Sequence, residues 1–168
     1  MAGMSKDFFA TMARHAQWAN RRIYAACAQL GYAEYRKSRP AFFGSIHATL
    51  NHQLGADLNW LARFRDDYER PPFAFTEILH NDFPALRERR EREDAGVVAY
   101  VDDLSEAALG EDLNFKLLDG SWHAKRFDIL LGNFFNHQTH HRAQVHDMLA
   151  QTTVPPPPLD VLPFLLGR

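Results

Sequence analysis

Asn136-His137-Gln138-Thr139-His140-His141-Arg142 places three of the chain's nine histidines within five residues, inside a run that is otherwise apolar at helical spacing. Leu130, Phe134, His137, His141, Val145 and Met148 fall in one narrow sector of a helical wheel. That pattern predicts a helix over residues 128–151 with both His137 and His141 in its buried stripe. Side chains four apart stand on one face, one turn apart, with Cβ atoms about 5–6 Å from each other, so each imidazole can offer a nitrogen to a single metal ion. A lone histidine in such a stripe is usually a satisfied core residue. Two in one apolar layer carry more polar nitrogen than apolar neighbours can satisfy, and metal ligation is the stronger reading of the pair. His140 lies about 80° from the bisector of the other two and belongs at the rim.

Working outward, three more helices precede this one. Phe8, Met12, Ala16, Ala19, Ile23, Cys27 and Leu30 recur at three and four, which predicts a helix over residues 5–30 that stops at Gly31. Phe43, Ile46, Leu50, Leu54, Leu61 and Phe64 mark a second over residues 41–67, with Pro71-Pro72 between it and the next helical run. A third opens after Asp82, with Pro84 in its first turn, and runs to about Leu104. Its charged block, Arg87 to Asp94, alternates in sign and reads as a solvated face with Glu88 and Arg92 as an (i, i+4) pair. Asp119-Gly120, flanked by Phe115, Leu117, Trp122 and Ala124 in alternation, reads as a β-hairpin. Pro155 to Pro158 close the last helix as a stiff spacer to an apolar tail over residues 159–166. The expected fold is therefore all-α: a four-helix bundle with a small β-hairpin before its last helix, as one domain over residues 1–168.

A metal held by His137 and His141 needs a third ligand. His47 and His52 on the second helix are the candidates, with His15 on the first a weaker one. His47 lies on the leucine stripe, which favours it as the inward residue. His52 lies nearly opposite, among Ser45, Ala48, Ala56 and Asn59, where small side chains leave room for a metal and its substrate. The wheel does not separate the two. Asp57 is placed either to orient a ligand histidine or to pair with an arginine. His80, His123 and His146 are expected at exposed positions.

Composition bounds the function. With 46% hydrophobic and 24% charged residues and a net charge of −2, the chain has the make-up of a globular protein. No basic excess points to nucleic acid. No apolar run reaches the length of a membrane span, no signal-peptide pattern opens the chain, and the single cysteine, Cys27, fits a reducing compartment, so a cytoplasmic location is expected. Apolar residues outside the main stripe of the last helix, at Leu131, Phe135 and Leu149, exceed what one interior face needs and suggest a homodimer.

Several motifs together resemble the DinB (DNA-damage-inducible) family of the DinB/YfiT-like metalloenzyme superfamily. They are Trp18-Ala19-Asn20, Gly44-Ser45-Ile46, Leu50-Asn51-His52, Asp57-Leu58-Asn59-Trp60-Leu61, and Asn136 to Arg142 with Gln144. The likeness spans nearly the whole chain. It implies a four-helix bundle, often dimeric, with a divalent metal such as zinc or nickel on His52, His137 and His141. It also implies roles near the metal or the substrate for His140 and Arg142. Three neutral imidazoles leave the metal an open position, as in catalytic zinc sites, where a water or a thiol becomes a nucleophile near neutral pH. Relatives in the superfamily look like low-molecular-weight-thiol S-transferases and thiol-dependent isomerases. The expected activities are thus a metal-dependent thiol transferase or a metal-dependent hydrolase on a small-molecule substrate, with a non-catalytic, stress-induced metal-binding protein as the third alternative. The glutamate that follows the first histidine in zinc proteases is absent from His137-Gln138, and no catalytic base is identified.

Overall fold

The structure, a computed structural model, describes residues 3–69 and 71–167. Four long helices form the frame: α1 (Lys6–Cys27), α3 (Ile46–Phe64), α4 (Phe83–Asp103) and α6 (Phe127–Ala150). Three helices of five residues each join or follow them: α2 (Tyr32–Arg36), α5 (Glu106–Gly110) and α7 (Val161–Leu165). Helix α1 packs against α4 and α6, and α3 packs against the same two, so α1 and α3 sit on opposite corners of the bundle. The hairpin, β1 (Asp112–Lys116) and β2 (Trp122–Arg126), is antiparallel with Phe115 opposite His123. This is the expected helical bundle with its hairpin just before the last long helix. No helix among the described residues is long and apolar enough to cross a membrane.

Local chemistry sets the helix ends. Ser5 accepts a hydrogen bond from the Phe8 N–H, Ser45 from Ala48 and Asp82 from Ala85, each satisfying a first-turn donor that the helix itself leaves open. The second long helix starts at Ile46 rather than Ala41. Gly44 takes a φ of 75° and Ser45 is extended, so the chain turns there before the helix can begin. Helix α1 stops at Cys27, and Gly31 precedes the short α2 instead of ending α1. Its inward row is Phe9, Ala13, Ala16, Ile23 and Cys27; Phe8, expected inside, is 45% exposed. Both rows fit the same period, and only packing separates them. In the hairpin, Gly120 takes a φ of 87° and its N–H bonds to the Leu117 carbonyl, the geometry of a three-residue loop closed by a left-handed glycine. Phe115 is buried, whereas Trp122 and Ala124 are exposed, so one strand alone contributes a core side chain.

The core is two apolar clusters with a polar layer between them. One cluster gathers Phe9, Phe64, Val101, Phe127, Phe134 and Phe135; the other gathers Ile23, Leu50, Leu54, Leu86, Val145 and Met148. Each long helix contributes to the layer between: Asn20 from α1, Gln53 and Asp57 from α3, Arg90 and Asp94 from α4, Gln138 and Arg142 from α6, all buried. Arg90 donates to Asp57 Oδ2 at 2.6 Å and pairs with Asp94 Oδ1 at 2.8 Å. Gln138 donates to the same Asp57 oxygen at 3.0 Å, Asn20 donates to Asp94 at 2.9 Å, and Arg142 donates to Gln138 at 3.2 Å. The charged block on α4 is therefore not a uniformly solvated face. Arg90 and Asp94 continue the inward row of Leu86, Val97 and Val101, while Glu88 and Arg92 lie outside, 3.6 Å apart.

Leu131, Phe135 and Leu149 are also buried within the chain, at 1%, 3% and 0% exposure. Because α6 is covered by both α1 and α3, the apolar surplus on its wheel is used internally and gives no argument for a second subunit. After the proline run the chain crosses to α1, where His15 Nε2 lies 2.7 Å from the Leu159 carbonyl oxygen and Phe164 packs against His15 and Trp18.

A buried ion pair that loses one partner leaves an unpaired buried charge. Arg90→Leu is thus expected to destabilise the fold by about 3–5 kcal/mol, and Arg92→Leu, on the exposed face, by less than about 0.5 kcal/mol, read from urea unfolding midpoints. Equal costs for the two substitutions would contradict the polar layer as described.

Candidate metal centre

Helices α3 and α6 pack side by side, and this contact brings His52 to His137 and His141. The ring centroids are 4.3 Å apart for His137 and His141, 4.6 Å for His52 and His141, and 5.7 Å for His52 and His137. One ring nitrogen from each lies within 4.8 Å of the other two. His47 goes elsewhere: its Nδ1 lies 3.3 Å from the Tyr35 hydroxyl and its ring stacks edge-on against Tyr35. His15 faces Leu159. The wheel does not separate His47 from His52 for a physical reason. Fifteen of the nineteen residues of α3 are buried, so the helix has several inward faces rather than one stripe.

Hydrogen bonds fix the free nitrogen on two of the three rings, His52 and His141. His52 Nδ1 lies 2.8 Å from the Phe75 carbonyl oxygen, an acceptor only, so that nitrogen carries the proton and the lone pair is on Nε2. His141 Nδ1 lies 2.9 Å from Gln144 Oε1, which places its lone pair on Nε2 in the same way. His141 Nε2 and His137 Nε2 are 3.0 Å apart. Two imidazole nitrogens on one tetrahedral zinc stand about 3.3 Å apart, from Zn–N bonds of about 2.0–2.1 Å. His52 Nε2 is buried with no hydrogen-bond partner among the described residues. Single orphaned nitrogens also occur on His15, on His47 and, at Nδ1, on His137, so an orphan alone is not diagnostic. What sets this group apart is that one nitrogen from each ring converges with those of the other two. The residues present fit a divalent cation with nitrogen ligands.

Electrostatics agrees with the geometry. Burial lowers the pKa of His137 and of His141 to about 4, with the neighbouring rings adding to the effect on both, and burial also lowers that of His52. All three rings are neutral at pH 7, the form that ligates metal. Phe43 stacks on His52 at 4.1 Å and Phe75 meets the same ring edge-on at 4.6 Å, walling one side of the group. A cavity of about 150 Å³ opens beside His52 and His137, lined by Ala56, Trp60, Phe73 and the same Phe75 among others.

The remaining candidates take other positions. Asp57 does not touch a histidine; it accepts from Arg90 and Gln138, and burial raises its carboxyl to about 6 against the pull of Arg90. Arg142 is buried and donates to Gln138, Asn20 and Thr139, behind the histidines and away from the cavity lining. His140 is exposed, its ring 4.9 Å from that of His141 and its Nε2 3.2 Å from Gln144 Nε2. His123 is exposed, and His80 and His146 are half-buried. The Phe75 carbonyl has no signature in the periodicity, and Phe43, which the periodicity assigns to the stripe of the second helix, lies outside that helix. The Phe75 carbonyl arrives from the irregular segment between α3 and α4, and Phe43 from the turn before α3. Gln144 was recoverable, since it lies three residues beyond His141 on one face.

A search of curated proteins finds no match to this chain. The family model described as "DinB family" matches residues 4–166, which includes every element of the bundle and all three converging histidines. The chain belongs to the DinB family.

Proposed function

We propose that His52, His137 and His141 hold one divalent metal ion, zinc or nickel, and that the protein is a metalloenzyme that joins a low-molecular-weight thiol to a small substrate. The observation that carries this reading is the convergence of three neutral imidazoles, two of them with the far nitrogen tied to an acceptor, beside a cavity. Three protein ligands leave a coordination position open, and a divalent ion there lowers the pKa of a thiol or water bound at that position.

The chain's own residues supply orientation and exclusion. The Phe75 carbonyl and the Gln144 side chain hold His52 and His141 in the tautomer and rotation that turn Nε2 inward. Phe43 and Phe75 cover the histidines against solvent. Among the described residues the cavity beside them is lined by aromatic, aliphatic, amide, imidazole and guanidinium groups and no carboxylate. That lining favours thiol transfer over hydrolysis, because a thiolate attacks without further help, whereas attack by water is assisted by a positioned base.

Protein purified without a metal-binding tag is expected to carry one metal per chain by elemental analysis. His52→Ala, His137→Ala and His141→Ala lose it, and His47→Ala keeps it. The loaded protein is expected to consume glutathione, mycothiol or bacillithiol in the presence of an electrophile, and the metal-free protein is not. Absence of metal defeats the whole reading; metal without thiol consumption defeats its enzymatic half. Removing a group that orients a ligand typically costs 10–100-fold in metal affinity, so Gln144→Leu is expected to weaken binding by about that factor in a chelator competition. An unchanged affinity would show that Gln144 does not orient His141.

A further inference from the structure

Arg63 is a buried cation without a buried anion. Four arginines are buried among the described residues: Arg39, Arg63, Arg90 and Arg142. Arg39 pairs with Glu34, Arg90 pairs with Asp57 and Asp94, and Arg142 lies within the field of those same two carboxylates. Arg63, 8% exposed, has none of these. Its Nε–H donates to the Lys116 carbonyl at 2.9 Å and its guanidinium lies over the Trp60 ring at 4.8 Å. Its two terminal amino groups make no hydrogen bond or ion pair among the described residues. Burial holds its pKa below the usual arginine value.

The position of this group matters more than its isolation. Arg63 lines the 150 Å³ cavity beside His52 and His137, and it also lines a second cavity of about 250 Å³ that runs out under the hairpin loop. Asn59 and Leu118 border both, so the two spaces adjoin at Arg63. In the inner cavity Arg63 is the only charged lining residue among the described residues, the histidines being neutral. In the outer one Lys116 and Asp67 offset each other, so the net charge is again that of Arg63. The remaining lining of the inner cavity is mainly apolar: Ala56, Trp60, Phe73, Ala74, Phe75 and Leu118.

We infer that Arg63 is the anchor for a carboxylate, and that the site takes a small carboxylic acid with an aromatic or aliphatic body. With Nε committed to Lys116 and one face covered by Trp60, the terminal N–H groups present a planar pair of donors that a two-oxygen carboxylate matches. The apolar walls take the body of the molecule and direct its far end toward His52 and His137. That this molecule is the enzyme's substrate rests on the metal reading above; the carboxylate site itself does not.

NMR titration of the full chain with benzoate, and with benzamide as its neutral isostere, tests the site on chelator-treated and on zinc-treated protein. Benzoate is expected to perturb the Trp60 indole and Ala56 resonances and to bind at least about tenfold more tightly than benzamide, the margin expected for a hydrogen-bonded charge. Arg63→Gln is expected to abolish that preference and Arg63→Lys to retain part of it. Equal binding of the two ligands, no binding of either, or an Arg63→Gln variant that keeps the preference would overturn the inference. Should Arg63→Gln not fold, the benzoate-to-benzamide ratio on the unsubstituted chain decides. A benzoate preference in protein that takes up no zinc would leave the carboxylate site standing and remove the proposed enzyme.

Discussion

The Arg90 guanidinium, buried between the carboxylates of Asp57 and Asp94, is the interaction that the rest of the structure depends on. A buried charge tolerates no partner-free alternative, so this contact ties α4 to α3 at one register. Gln138 of α6 donates to the same Asp57 oxygen, and Asn20 of α1 donates to Asp94, which extends the constraint to all four long helices. A slip of α6 by one turn would leave Asp57 without Gln138 and would part Arg142 from Asn20. The apolar clusters above and below the layer are less exacting, because Leu, Phe and Val rows repack at modest cost.

The three converging histidines sit beside that layer. His137 precedes Gln138, His141 precedes Arg142 and His52 precedes Gln53, so each converging histidine is the chain neighbour of a polar-layer residue. Fixing the inward residue fixes the rotation of its helix and hence the direction of the residue beside it. The layer thus aims the histidines without touching them, and the Phe75 carbonyl and Gln144 complete the adjustment ring by ring. Asp57 and Arg142, which are candidates for contact with metal or substrate when only their position in the motifs is considered, belong to this scaffold.

Much of the bundle is legible from residue order, and the exceptions have physical reasons. The opening of α4 after Asp82, the Asp119-Gly120 turn and the period of α6 are local chemistry, and each appears where it is expected. Periodicity misplaces the start of α3 because the Phe43-to-Ile46 spacing continues a helical period through Gly44 and Ser45, which turn the chain instead. The Arg87-to-Asp94 block misleads because alternating charge has the same appearance on a solvated face and in a buried network; only tertiary contact shows that Arg90 and Asp94 share an inward row with Leu86 and Val97. Periodicity does not choose His52 over His47, since a helix buried on nearly every side has no single stripe. Arg63 carries no signal at all in the sequence, because its isolation from carboxylates is a property of three dimensions.

The central claim is that three imidazoles from two helices meet on one ion, and crystals of tag-free protein test it most directly through anomalous diffraction recorded on both sides of the zinc and nickel absorption edges. The account requires one strong peak about 2.0–2.1 Å from a ring nitrogen of each of His52, His137 and His141. A map with no peak there, or with the ion on His47 or on the exposed His140 instead, would contradict it.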